Sequence, residues 1–227
     1  MRQEVYTQSG ALDRSESAKV LRNTYALLAM TVLFSAVTAG VSMAIGMSRG
    51  MSLICSIAAI ALVWFVLPRT ANSASGVGVV FAFTGLLGAS LGPMLNHYLG
   101  LAGGGQIVMQ ALGTTALIFF ALSAYVLTTR KDFSFMAGFL FMGLVAVIVS
   151  SIVAFVAAAF FGVDIKMAHL VISCVSALVF SGYILFTTGS IVNGGETNYI
   201  MATTMLYLSI LNLFTSLLTI FGFASED

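Results

Sequence analysis

Charge is what this chain has least of: nine Lys or Arg and eight Asp or Glu in 227 residues, 7% of the sequence. Soluble domains carry about 25% charged residues, and so few could not cover one or two water-soluble domains of this length. The net charge of +1 excludes the concentrated basic footprint that nucleic-acid binding needs. Disorder is excluded from the opposite side, because disordered chains combine low hydrophobicity with high charge and this one is 59% hydrophobic. Cysteine is scarce too. Cys55 and Cys174 lack the spacing of a metal site or a disulfide framework, and both are expected to be small buried apolar residues. No Walker motif, HExxH, GxSxG or CxxC pair is present, so no motif calls for a cofactor, a metal or an enzymatic activity. What is left is a protein whose main solvent is lipid.

The positions of the few charges supply a topology. The uncharged gaps are 23–48, 50–68, 70–129, 133–163, 167–195 and 197–225. A membrane-spanning helix needs about 20 apolar residues, so five gaps hold one span each. The long gap at 70–129 is interrupted by Gly103-Gly104-Gly105, a poor helix interior and a good turn. The expectation is an all-α, polytopic protein with seven spans, near 24–46, 51–67, 77–98, 107–128, 134–161, 168–188 and 200–222. A membrane β-barrel would show alternating segments of about ten residues, whereas Ala154 to Phe161 is apolar on every face.

Lys and Arg collect in cytoplasmic loops. Placing the N-terminus inside puts Arg2, Arg14, Lys19, Arg22, Arg69, Arg130 and Lys131 on the cytoplasmic side, against only Arg49 and Lys166 outside. The expected organisation is a polar cytoplasmic tail at 1–22, a transmembrane domain at 23–224 and a short periplasmic tail at 225–227. The N-terminal tail carries both charge signs and reads as exposed and mobile. His97 and His169 fall near the outer interface, where amphipathic rings commonly sit, and a structural role is expected of both.

Charged groups inside a bilayer cost about 2.5–3.5 kcal/mol each and usually mark function; the expected spans contain none. That absence speaks against an acidic proton relay and against a cation site of buried carboxylates. The strongest polar pattern is in the last span, where Ser209, Asn212, Ser216 and Thr219 fall on one helical stripe. The stripe lines a polar path or supplies hydrogen bonds between closely packed helices; both readings stand. Gly88 and Gly92 form a small-xxx-small pair suited to helix packing. Before the last span, Asn193-Gly194-Gly195 suits a turn with positive φ, and Glu196, Thr197 and Asn198 are capping candidates at the positive end of the next helix. Glu196 is also the only carboxylate on the expected cytoplasmic loops after Asp132.

Ser181-Gly182-Tyr183-Ile184-Leu185-Phe186 and Asn193-Gly194-Gly195-Glu196-Thr197-Asn198-Tyr199-Ile200 resemble the Bax inhibitor-1 family, most closely its bacterial YccA branch. The resemblance extends to Val20–Tyr25, Phe81–Gly85 with Leu91-Gly92-Pro93, Ser123–Asp132 and Leu217–Ser225, essentially the whole chain. It implies a seven-helix bundle in the bacterial inner membrane with the seventh helix central. It also implies one of two activities. Some members are described as pH-sensitive calcium leak channels gated by two acidic residues near the cytoplasmic ends of helices six and seven. By motif those positions are Thr187 and Ser209 here, and neither is acidic. Carboxylates sharing a proton sense pH; Thr and Ser do not. The YccA branch instead implies an FtsH-type AAA+ membrane protease and its HflK/HflC complex as partners. Its members are slow substrates of that protease and restrain its action on other membrane proteins. The expected function is therefore non-enzymatic modulation of such a protease, with the polar tail, including Arg14, Lys19 and Arg22, as the segment it grips. The calcium leak remains the alternative.

Overall fold

The computed structural model describes residues 2–225, and for residues 2–14 it describes the backbone alone. The chain is 87% helical and has no strand among the described residues. Among the described residues, seven helices are long and apolar enough to cross a membrane. They are α1 (Arg2–Ala44, with Ser15–Ala44 the apolar part), α2 (Arg49–Thr70), α3 (Ser75–Leu99), α4 (Gly104–Thr129), α5 (Ser134–Phe161), α6 (Lys166–Val192) and α7 (Tyr199–Ala224). Each covers one expected span. The largest difference is at the start: α1 begins at Arg2, so the polar segment upstream of the first span continues as helix. Local backbone bonding explains this, since a helix needs no apolar face to propagate once a long membrane helix has nucleated it. Glu226 and Asp227 of the C-terminal tail lie outside the described residues.

The turns follow local chemistry. Gly46, Gly103, Gly162 and Gly194 hold φ between 61° and 74°, the left-handed region that favours glycine. The triple glycine thus separates α3 from α4, and the Asn-Gly-Gly segment turns the chain before α7. One non-glycine joins them: Arg130 closes α4 at φ 51°, its N–H bonded to Val126 O at 2.8 Å. A cation at a helix C-terminus is favoured by the helix dipole. Pro68 marks another departure. A proline ring clashes with the carbonyl four residues back and offers no N–H, and the preceding turn, Leu62–Val66, widens into a π-helix. Carbonyls near this turn find side chains instead: Arg69 Nη1 donates to Phe65 O at 2.6 Å and Thr70 Oγ1 to Val66 O at 3.0 Å.

The chain forms two compact units. The first comprises the residues up to Gly100 together with Ile191–Tyr207. Its apolar core is Leu27, Leu67, Ala71, Val80 and Ile200, drawn from α1, α2, the turn after α2, α3 and α7. Its main seam joins α1 to α3. A Cβ added at Gly85 would meet the Phe34 ring, one at Gly88 would meet the Ser35 carbonyl and Thr38 hydroxyl, and one at Gly92 would meet Ser42. Small residues let membrane helices approach until backbones touch, which is what the Gly88/Gly92 pair does here.

The second unit comprises Leu101–Ser190 and the chain from Leu208 onward. Its α5–α6 seam uses the same device: Gly182 faces Leu140, Gly143 faces Val179 and Gly189 faces Phe133. Burial is uneven among the spans, 50% of the apolar window in α7 against 6% in α5. Exposed Phe135, Phe139, Phe141, Phe155, Phe160 and Phe161 make α5 a lipid-facing helix. The cysteines depart from expectation: Cys55 is half-buried and Cys174 exposed. A thiol is apolar enough to face hydrocarbon, so the bilayer removes the pressure to bury it that water would exert.

Replacing Gly88 by Ala forces a methyl onto the α1 backbone, and overpacking of that kind costs about 1–3 kcal/mol. Gly113→Ala, at a position with nothing within 4 Å, carries no such penalty. Thermal unfolding in mild detergent checks this: Gly88→Ala melts earlier than the parent, and Gly113→Ala does not.

Candidate functional site

A cluster of hydrogen-bonded polar side chains sits at the N-terminal end of α7. After Gly194, Glu196 Oε1 accepts the Asn198 N–H at 2.8 Å. Asn198 Oδ1 in turn accepts the N–H groups of Ile200 at 2.9 Å and Met201 at 3.2 Å. A helix start leaves its first N–H groups without intrahelical partners, and Asn is among the best residues to take them. The Asn198 amide also reaches across the fold, donating through Nδ2 to Ala71 O at 3.0 Å and Asn72 Oδ1 at 2.8 Å. One side chain therefore caps α7 and fastens it to the α2–α3 turn. Glu196 stands one step back, holding the backbone of the residue that does the capping.

Beside this loop lies an open cleft of about 480 Å³, lined by Glu16, Lys19, Asn23, Glu196, Thr197 and Tyr199 among others. It brings Lys19 and Glu196, singled out separately in the sequence, to one place between α1 and the α6–α7 loop. Arg22 is exposed and outside the cleft lining. The Arg14 side chain lies outside the described residues. At another loop, Asp132 Oδ1 accepts both the hydroxyl of Ser134 at 2.6 Å and its N–H at 2.8 Å. Those two bonds, the hydroxyl's first, hold the exposed Asp132 carboxyl below the ordinary aspartate value.

The stripe on α7 alternates in burial. Ser209 is 3% exposed and Ser216 6%, while Asn212 and Thr219 are half-buried. Asn212 Nδ2 donates to Leu208 O at 2.8 Å and Thr219 Oγ1 to Thr215 O at 3.0 Å. These bonds run back along α7's own backbone rather than to a neighbouring helix. Thr187, on α6, is 2% exposed, and its hydroxyl, like those of Thr188 and Ser123, has no hydrogen-bond partner. His97 and His169 are exposed, and His97 packs edge-on against Tyr98 at 5.5 Å. Among the described residues no three His, Cys, Asp or Glu side chains come together.

The residue that the sequence reading passed over is Tyr207, 2% exposed in the middle of α7. Its hydroxyl donates to Thr84 O at 3.2 Å and accepts from the Ser35 hydroxyl at 2.6 Å. Its ring meets Phe83 edge-to-face at 5.6 Å. One side chain thereby ties α1, α3 and α7 together. The signal was available: a tyrosine far from either end of an apolar span cannot keep its hydroxyl in the interface, so it needs an internal partner.

A family model described as "Inhibitor of apoptosis-promoting Bax1" matches residues 17–226. The chain is 50% identical over 209 residues to the Escherichia coli K12 protein named "Modulator of FtsH protease YccA", covering 92% of each. It matches equally well the E. coli O6:H1 protein named "Inner membrane protein YccA", again 50% over 92% of each. It is also 50% identical over 228 residues to an uncharacterised membrane protein of Vibrio cholerae, over 100% of both chains.

Asn198→Ala removes the cap and the fastening together, and loss of an Asn cap costs about 0.5–2 kcal/mol. Asn198→Asp keeps the cap acceptor but loses both donated bonds. Hydrogen exchange separates the two roles: the Ile200 and Met201 amides exchange faster in Asn198→Ala and stay protected in Asn198→Asp.

Proposed function

The chain belongs to the Bax inhibitor-1 family and is a multi-pass inner-membrane protein, and from that premise we propose that it binds and restrains an FtsH-type AAA+ membrane protease. The observation that carries this reading is the 50% identity, over 92% of both chains, to the E. coli relative named as a modulator of that protease. Its role is non-enzymatic. With the N-terminus in the cytoplasm, as the Lys/Arg bias favours, the polar N-terminal segment is the part that the protease engages. HflK/HflC-type proteins surround the protease and share the encounter. Restraint works by competition: a protease occupied with a chain it unfolds slowly is withdrawn from other membrane substrates.

Two features support the mechanism. The N-terminal segment is continuous with the first membrane helix, α1 running unbroken from Arg2 to Ala44, so a pull on the segment loads a membrane helix directly. That helix is held by a dense set of contacts along its buried face, from the Thr203 hydroxyl on Thr24 O at 3.3 Å to the Asn96 amide on Met43 O at 3.2 Å. The calcium-leak reading draws on Thr187 and Ser209 and on the α7 stripe. Both positions hold neutral hydroxyls, which do not change charge with pH.

Deleting residues 2–14 leaves the apolar part of α1, Ser15–Ala44, intact. The truncated protein inserts and folds as the parent does, but its degradation by the purified protease slows at least severalfold. Turnover at the parent's rate refutes a grip that depends on residues 2–14. In liposomes loaded with a calcium dye, the parent gives no flux that varies between acid and neutral pH. A pH-dependent flux abolished by Asn212→Leu restores the channel reading in place of this one.

A further inference from the structure

The α1–α3 seam has a direction built into it. The pairs Phe34 with Gly85, Ser35 and Thr38 with Gly88, and Ser42 with Gly92 advance together along both helices, so α1 and α3 run parallel. Each α1 side chain occupies a notch that exists only because α3 has no Cβ there. The Phe34 ring also meets the Phe81 ring edge-on at 5.5 Å, and Phe81 lies one turn before Gly85 on α3. A pull on the N-terminus of α1 therefore drives Phe34 out of its glycine notch and into Phe81. The opposite displacement meets no such ring. Beside the stop, the Ser35 hydroxyl is bonded to Tyr207 at 2.6 Å, and Tyr207 is bonded to Thr84 O at 3.2 Å. These groups lie at membrane depth, where a broken bond finds no water to replace it.

We infer that Phe34, Ser35 and Tyr207 form a catch that resists withdrawal of α1 toward its N-terminus, and that this catch sets how slowly the chain can be extracted by a machine pulling there. The first half concerns the protein alone; the second rests on the proposed engagement by a membrane protease. The glycine notches fix the register of α1, Phe81 blocks its slide, and the Ser35–Tyr207 bond must break before α1 can tilt away from the stop. Tyr207→Phe keeps the ring and its contact with Phe83, and removes only the hydroxyl. Phe34→Ala removes the stop and leaves the hydrogen bonds.

The test pulls the full-length protein by its N-terminus from a lipid bilayer under constant force, and records the lifetime before α1 leaves. Interhelical hydrogen bonds in membranes average about 0.6 kcal/mol and reach about 1.7, so Tyr207→Phe shortens the lifetime about three- to eighteenfold. Adding Ser35→Ala to Tyr207→Phe shortens it no further, because the bond is already gone. Phe34→Ala shortens it as well, whereas Tyr125→Phe, a substitution in the other unit, leaves it unchanged. Parent-like lifetimes in both Tyr207→Phe and Phe34→Ala overturn the catch, as does full additivity of Ser35→Ala with Tyr207→Phe. The same variants are then degraded by the purified ATP-dependent membrane protease. Faster degradation in step with shorter lifetimes supports both halves. Shorter lifetimes with unchanged degradation keep the catch and refute extraction from the N-terminus as the protease's route.

Discussion

A lipid interior offers no hydrogen bonds, and the rest of the structure answers that constraint. Every backbone N–H and C=O at membrane depth must find a partner within the protein, which leaves the helix as the only form open to these apolar spans. The same pressure acts on side chains, although the Ser123, Thr187 and Thr188 hydroxyls go without a partner. Ser and Thr hydroxyls in the spans bond repeatedly to carbonyls three or four residues earlier, as at Thr31, Thr115, Ser173, Ser181 and Thr204. Such back-bonding slightly disfavours helices in water; in lipid it lets a small polar residue sit on a packing face without an orphaned hydroxyl. Asn212 obeys the rule with a larger group, its amide turned onto Leu208 O.

Once hydroxyls can be hidden in this way, helices can approach through faces of small residues. Membrane helices gain little from burying apolar surface against each other, because lipid tails are equally apolar, so close contact and interhelical bonds must hold them. The α1–α3 and α5–α6 seams are built on glycines facing larger side chains. Some bonds cross between helices, and two of the side chains that carry them cannot be served by local bonding alone. Tyr207 is too long to fold back on its own turn and bonds to Ser35 and Thr84 instead. Asn198, at a helix start where N–H groups stand free, spends one end of its amide there and the other on Ala71 and Asn72. The polar groups that are least local thus become the ones that define tertiary structure.

That division explains what could be read from the sequence. Seven spans were legible because a charge in a helix interior is costly wherever it sits, so seventeen charges punctuate the chain regardless of packing. The glycine turns were legible because positive φ is a property of one residue, and Gly103 and Gly194 both show it. Gly88 and Gly92 announced close packing by their spacing, but not that α1 would fill them. The polar stripe on α7 was visible as a pattern, yet whether Asn212 turns to its own helix or to another depends on the rotamer its neighbours allow. Tyr207 and Asn198 were hardest to assign, since their partners lie 123 to 172 and 126 to 127 residues away in sequence. The Cys residues failed for a different reason, since burial expected from aqueous proteins does not carry over to a surface that faces hydrocarbon.

No Asp, Glu, Lys, Arg or His is buried among the described residues, and this has a mechanical consequence. A protein that switches with pH must place titratable groups where their charge changes a packing equilibrium, and such groups destabilise one of its states by design. Here the buried polar residues, Thr24, Thr31, Ser35, Ser42, Thr187, Thr203, Ser209 and Ser216 among them, are neutral hydroxyls. Hydroxyls of Ser and Thr stay uncharged across the physiological pH range, so these residues do not bias the helices toward a second arrangement as protons come and go. A fold of that kind is suited to holding one state against an applied load. On the reading proposed for this chain, endurance is the function: the longer α1 stays seated against α3 and Tyr207, the longer a protease pulling on it is kept from other substrates.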